Sequence, residues 1–171
     1  MHKYRTPPWD WRLTLATALS CTAMVLSLYA FIHSRRKDKR DLFLRMHEQL
    51  VSPDKQRGRR LIYDMAATGR SVDDLTADEY EAINNALAYL DVLGVYYNNR
   101  YIRREDVMEM WALPIVRLMQ AARPFLEHRD ENQGTPVWPR LRNLAEDAQR
   151  YLRHNDIPVR PVTSLRGPSN P

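Results

Sequence analysis

The sequence is poor in cysteine and glycine, and each shortage excludes a class of site. Its one cysteine, Cys21, leaves no disulfide framework within one chain and no cysteine-based metal site. The five glycines are scattered singly, so no glycine-rich phosphate loop is present. The chain also lacks a Gly-x-Ser-x-Gly motif, so nucleophilic catalysis has no visible agent.

The five histidines show no metal-ligand spacing. His47-Glu48 lacks the second histidine of a metalloprotease helix. A calcium loop starting at Asp91 fails, because Leu93, Val95 and Ile102 stand where oxygen ligands are required. We therefore predict no metal and no cofactor, and the chain carries no catalytic motif. An enzyme whose site no sequence motif reveals is a third alternative.

Positive charge is concentrated near the N-terminus. Residues 1–40 hold eight Lys/Arg and two Asp, a net +6, whereas residues 41–156 hold sixteen Lys/Arg and nineteen Asp/Glu, a net −3. Two arginines in residues 157–171 complete the formal charge of +5. This placement favours anionic lipid headgroups over a nucleic-acid backbone, so we expect no nucleic-acid partner.

A stretch of twenty uncharged residues runs from Leu13 to Ile32. As a helix it would be about 30 Å long, which matches the hydrocarbon core of a bilayer. Trp9, Trp11 and Tyr29 lie where interfacial aromatic residues are expected. The alternative, a cleaved signal peptide, is disfavoured by the length of the apolar stretch and by the lack of a good cleavage site. The sequence therefore predicts a transmembrane helix.

The charges flanking this stretch predict its orientation. Five basic residues follow it, against three before it. The five, which we expect to contact lipid headgroups, are Arg35, Arg36, Lys37, Lys39 and Arg40. The positive-inside rule then places the C-terminal domain in the cytoplasm, with the chain anchored in the plasma or inner membrane.

One face of the predicted span carries only small residues. They recur at spacings of four, three, four and three, and they are Ala16, Ser20, Ala23, Ser27 and Ala30. Small residues let two membrane helices approach closely, so we hypothesise a homo-oligomer formed through this face. The alternative is that Ala and Ser are simply common in such helices.

Beyond the basic run, helical periodicity continues and no strand pattern competes with it. The predicted fold is all-α, with one N-terminal transmembrane helix followed by a small bundle of about four to five helices. The predicted segments are a short N-terminal segment (1–12), the transmembrane helix (13–32), a basic juxtamembrane helix (33–51), the helical domain (52–156) and a disordered Pro-rich tail (157–171).

Local signals predict the helix boundaries in the domain. Ser52-Pro53 starts the second helix, which ends near Gly69. A capping box of Thr76 and Glu79 starts the third, for which Gly94 is the expected C-cap. We predict a loop or hairpin over residues 95–102. The acidic residues at 73–74 and 78–81 suit a helix start better than acid–base catalysis.

The fourth helix is predicted from Arg104 to Glu127, with Pro114 kinking it and Pro124 bending or ending it. Residues 128–134 form a predicted polar linker. Thr135-Pro136 then opens the last helix.

Two stretches carry a resemblance to a known family. One runs from Leu87 to Gly94 and continues through Ile102, Val107, Trp111, Ile115, Pro124 and Trp138; the other is Gln56 to Tyr63. Over residues 35–153 the chain resembles an uncharacterised bacterial family of short proteins with an N-terminal membrane helix and a helical domain of unknown function. The resemblance implies this architecture and no catalytic residue.

These observations favour a membrane-anchored interaction protein, an adaptor or scaffold that binds a protein partner. The alternative is a membrane-acting effector, such as a toxin or phage-defence component, in which oligomers of the span disrupt the bilayer. Candidate partner-surface residues are Arg57, Arg59, Arg60, Trp111, Arg123 and Trp138. The helical spacing of the two tryptophans also fits core positions.

Overall fold

The computed structural model describes residues 11–160, apart from the side chains of residues 11–14, 32, 35 and 36. Within that range the chain is all-α, as predicted, and forms no strand. Its elements are α1 (Trp11–Leu50), α2 (Pro53–Thr68), a 3-10 helix (Val72–Asp74), α3 (Ala77–Asn98), α4 (Arg104–Ala121), α5 (Arg123–Gln133) and α6 (Pro139–His154). Residues 1–10 and 161–171, which include most of the predicted N-terminal segment and Pro-rich tail, lie outside the described residues.

The described residues contain more helices than the four to five predicted for the bundle. The predicted fourth helix is in fact two, since α4 ends at Ala121 and α5 begins at Arg123. Pro124 is the cause, because it has no backbone N–H to continue the hydrogen-bond ladder. Residues 128–133 belong to α5, so the predicted linker was wrong; α5 ends at Gly134, whose φ of 67° suits glycine.

The start of α3 is confirmed, whereas its predicted end is not. Thr76 Oγ1 accepts from the Glu79 N–H at 3.3 Å, and Glu79 Oε2 accepts from the Thr76 N–H at 2.9 Å. Gly94 does not cap the helix, which continues to Asn98 and takes up half of the predicted loop. A Cβ on Gly94 would lie 2.6 Å from the Arg140 carbonyl oxygen, so this glycine permits the close approach of α3 and α6.

The boundaries of α2 agree with prediction, and the start of α6 does not. Pro53 opens α2, although Ser52 makes no side-chain capping bond, and Gly69 ends it with a φ of 69°. The last helix begins at Pro139, later than the predicted Thr135-Pro136. Trp138 precedes it in a left-handed conformation, with a φ of 50°.

The chain divides into two compact units, Met1–Asp38 and Lys39–Pro171. In the first unit, every side chain that is described between residues 15 and 31 is exposed. Among the residues whose side chains are described, no helix offers a stretch long and apolar enough to cross a membrane. Residues 13, 14 and 32 of the predicted span fall outside that set. The transmembrane helix therefore stays a prediction.

The second unit has one apolar core, to which all its helices contribute. Helix α3 packs against α2 and α6, and α4 packs against α6 and α2. The last turns of α1 join this core through Phe43, Met46 and Leu50. A Cβ on Gly58 of α2 would overlap the Ala82 carbonyl oxygen of α3, so these two helices also cross in close contact.

Candidate functional site

The residues predicted to contact lipid are partly described. Lys37, Lys39 and Arg40 are exposed. Within the described residues, none of the three forms an ion pair. Arg35 and Arg36 belong to α1, but their side chains lie outside the described residues.

The predicted small-residue face is exposed at all of its five positions. These positions, Ala16, Ser20, Ala23, Ser27 and Ala30, lie in α1, within the first unit. The neighbouring Thr22 hydroxyl donates to the Ala18 carbonyl oxygen at 2.8 Å, so it is satisfied within its own helix.

The predicted partner surface is dispersed over several faces. Arg57 is exposed in a polar cleft that also contains Asp54 and Asp78. Arg60 is exposed and contacts Gln56 at 3.4 Å. Arg123 is exposed and forms an ion pair with Glu127. These arginines therefore do not converge on one site.

Trp138 is a packing residue of the domain. Its ring stacks on Phe125 with centroids 6.3 Å apart and planes 14° apart. The Arg129 guanidinium lies 5.3 Å from the centroid of the Trp138 ring and 5.9 Å from that of Tyr80. The indole thus fixes the chain between α5 and α6 and is partly buried against the core.

Arg59 and Trp111 are the two predicted residues that the fold does bring together. The Arg59 guanidinium lies 5.5 Å from the centroid of the Trp111 ring, a cation–π geometry. The His47 ring, from the last turns of α1, meets the same indole edge-on with centroids 5.6 Å apart. Three helices of the second unit therefore meet at Trp111.

A pocket of about 300 Å³ opens beside this pair. We call it the Arg59–Trp111 pocket; its lining is Arg59, Tyr63, Leu90, Trp111, Pro114, Ile115 and Leu118. The spacing of the lining residues explains its origin. Residues three, four and seven positions after Trp111 lie on the same face of α4, and Tyr63 lies one turn after Arg59 on α2.

The positive charges of Arg59 and Arg117 influence the ionisable groups at this pocket. Burial lowers the pKa of Arg59, although the nearby Tyr63 hydroxyl raises it. Burial likewise raises the pKa of Tyr63, and the positive charges of Arg59 and Arg117 oppose that shift. Within the described part of the chain, neither arginine forms an ion pair.

Several buried nitrogen atoms in this region have no hydrogen-bond partner among the described residues. They are Trp111 Nε1, Arg117 Nε and His47 Nδ1. The indole N–H and the guanidinium N–H can only donate. A buried donor without a partner costs free energy.

The acidic residues singled out in the sequence have structural roles. Asp91 Oδ1 accepts from the Leu141 N–H at 2.8 Å, so α3 caps the first turn of α6. Glu79 accepts from Arg70 at 2.8 Å, and this bond, with those from Thr76, lowers the Glu79 pKa to about 2. In the part of the chain described, no group of three or more His, Cys, Asp or Glu could hold a metal ion.

Sequence reasoning missed Tyr63, His47 and Arg117 as site residues. The signal available was weak: Arg59 and Tyr63 are one helical turn apart, as are Trp111 and Ile115. Such spacing places residues on one face of a helix, but it does not tell which neighbouring helix packs against that face. Only the crossing of α2 and α4 near the end of α1 reveals the pocket.

Within the described residues, the second unit is a small all-α domain with an apolar pocket that carries a cation. In the sequence this domain follows an exposed apolar helix segment. The family model for "Domain of unknown function (DUF4760)" matches residues 17–148, and the chain belongs to this family. The predicted resemblance to an uncharacterised family is thereby confirmed; the bacterial origin stays a prediction. Neither curated proteins nor solved structures yield a match.

Proposed function

We propose that this protein is a membrane-anchored helical interaction module. In this proposal the apolar segment of α1 inserts into a bilayer, and the helical domain binds a protein partner close to the membrane surface. The single observation that carries the proposal is the exposure of the apolar segment on all its faces.

The anchoring step rests on the side chains of residues 15–31. Large apolar residues there are more than half exposed, at 51% for Leu15, 64% for Leu19, 62% for Leu26 and 55% for Phe31. Large apolar side chains that are exposed to water are favoured in an apolar medium. The family match begins at residue 17 and so includes most of this segment.

The basic run supports the same proposal. Lys37, Lys39 and Arg40 are exposed and have no ion-pair partner among the described residues, so they are free to meet anionic headgroups. Each such residue near a membrane surface contributes about 1 kcal/mol. The excess of basic residues after the segment also supports a cytoplasmic domain.

For the partner we propose the exposed side of α2. Arg57 and Arg60 are exposed on α2, and Arg59, next to Arg60 in sequence, lines the Arg59–Trp111 pocket between α2 and α4. A photo-crosslinking amino acid at position 60 should trap a partner, whereas the same group at the exposed Arg153 of α6 should not. Equal trapping at both positions would contradict this surface.

Membrane flotation tests the anchor. The full chain should float with vesicles, and the double variant Leu19→Arg/Leu26→Arg should not, because each arginine at the centre of a span costs about 2.5–3.5 kcal/mol. Leu19→Ile/Leu26→Ile is the matched control. A reporter fused after Pro171 then reads the orientation, and an extracytoplasmic signal would contradict the cytoplasmic domain.

We further propose that the exposed small-residue face mediates self-association in the membrane. Ser20→Leu and Ala23→Leu should abolish crosslinked dimers, because their larger side chains keep the helices apart. Leu26→Ile is the matched control. Dimers that persist in both enlarged variants would exclude this face.

The exposure of that same face also keeps the effector alternative open. An effector should arrest growth on overexpression, and Ala23→Leu should relieve the arrest. An interaction module should be tolerated with or without that change.

A further inference from the structure

The Arg59–Trp111 pocket has the chemistry of a ligand site. Its walls are mainly apolar, formed by Leu90, Pro114, Ile115, Leu118 and the Trp111 ring. Its volume of about 300 Å³ lies at the lower end of the range for small-molecule pockets, about 300–1,000 Å³. The walls therefore suit a compact hydrocarbon or aromatic body.

The charge in the pocket has no counter-ion within the described residues. Arg59 lines the pocket and Arg117 acts on Tyr63, and the wall holds no carboxylate. A partly desolvated cation without a counter-ion is costly, and an anion entering the pocket would remove that cost. The pocket thus complements a ligand that combines an apolar body with a negative charge.

The polar groups of the wall also select against a peptide. Arg59 only donates, and Tyr63 is the one lining side chain that can also accept. A peptide backbone brings N–H groups that need acceptors, whereas a carboxylate brings only acceptors. The Arg59 donor in an otherwise apolar wall therefore favours a small acid over a polypeptide segment.

Two other clefts of the second unit lack this combination. In the groove of about 420 Å³ beside α5, Arg123 is paired with Glu127, and Arg142 with Asp130. In the polar cleft, Arg57 faces acidic residues. Among these three clefts, an unpaired cation on an apolar wall occurs only at Arg59.

We propose that the Arg59–Trp111 pocket binds a small amphiphilic carboxylate, such as a medium-chain fatty acid. The hydrocarbon chain lies against Leu90, Ile115 and Leu118, and the carboxylate accepts hydrogen bonds from Arg59. This ligand site goes beyond the proposed function, because it requires neither insertion of α1 nor a protein partner.

Photolabelling of the full chain in phosphatidylcholine nanodiscs tests the proposal. The probe is a medium-chain fatty acid with a diazirine on its chain and a terminal alkyne, and labelled residues are located by mass spectrometry. We expect saturable labelling of α4 between Trp111 and Leu118. Decanoate should compete for it, whereas decanol, which has the same chain without the charge, should not.

Matched variants assign the charge to Arg59. Arg59→Gln should weaken labelling of α4 about tenfold or more, since the charge-assisted contact is lost. Arg59→Lys should retain most of it, and Arg60→Gln, one position along α2, should leave it unchanged. If Arg59→Gln does not fold, Arg117→Gln tests the charge instead and should also weaken labelling of α4. The unfolding temperature shows whether each variant is folded.

The competing outcomes are distinct. Labelling confined to residues 15–31 would show only partition of the probe into the bilayer and would overturn the proposal. Equal competition by decanol, or labelling of α4 that survives both arginine substitutions, would overturn it as well.

Discussion

Residues 15–31 and the helical domain use the same kinds of apolar side chain in opposite ways. Leu26 in the apolar segment is 62% exposed, whereas Leu144 in α6 is fully buried. In the domain, each helix covers its apolar face with its neighbours. The apolar side chains that residues 15–31 expose would be favoured in an apolar medium, and this difference is the basis of the membrane proposal.

The difference also shows where stability resides. Buried side chains of the domain are close-packed, so their loss leaves a cavity. Side chains of the apolar segment meet no core within the described residues, so their loss should not affect unfolding of the domain.

Leu144→Ala should lower the free energy of unfolding of the domain by about 2–5 kcal/mol, because it creates a cavity in the core. The same change at Leu26 should alter it by no more than about 0.5 kcal/mol. Urea unfolding of the full chain in nanodiscs, followed by circular dichroism, measures both. Equal losses would mean that the segment and the domain unfold together.

Gly94→Ala should destabilise the domain by about 1–3 kcal/mol, because the new Cβ would press on the Arg140 carbonyl oxygen. Helix propensity alone predicts the reverse, a gain of about 1 kcal/mol. The sign of the change in urea unfolding decides between the two. Ala23→Leu, an enlargement in the exposed segment, is the control and should leave the domain unchanged.

Asp91→Ala should lower stability by about 0.5–2 kcal/mol, since the Leu141 N–H loses its acceptor at the start of α6. Asp91→Asn keeps an acceptor oxygen and should lose less. Thermal unfolding compares the two variants. Equal losses would show that the charge of Asp91, rather than its hydrogen bond, stabilises α6.

The smallest effect concerns pH. Bonds from Arg70 and Thr76 lower the Glu79 pKa from 4.5 to about 2, so the carboxylate stabilises the fold above pH 4.5. That contribution should disappear as the pH falls from 4.5 towards 2, and Glu79→Gln should flatten this part of the stability curve. Residues 15–31 contain no carboxylate, so their helix content should not follow this titration.

The architecture was predictable in part because it depends on local signals. The Thr76–Glu79 capping box and the Gly69 cap are recognised within a few residues, and the structure places helix ends there. Gly94 failed as a cap signal because glycine serves two purposes. It can end a helix, or it can allow a neighbouring backbone to approach, and only the position of Arg140 shows the second.

The candidate site was predictable only as separate residues. Arg59 and Trp111 were both singled out, yet they stood in one set with Arg123 and Trp138, which the fold places elsewhere. The sequence does not contain the distance between α2 and α4. It therefore could not tell a paired surface arginine from one that lies unpaired over an indole.

By itself, the amino-acid sequence determined the helical class, several helix ends, the charge asymmetry and the uninterrupted apolar stretch. Each of these follows from side-chain chemistry and from spacing over a few residues. The tertiary structure alone decided that Asp91 caps α6, that Gly58 and Gly94 lie at helix crossings, and that Arg59 meets Trp111 beside an apolar pocket. These features join residues that are distant in the chain, and their contacts depend on how whole helices pack.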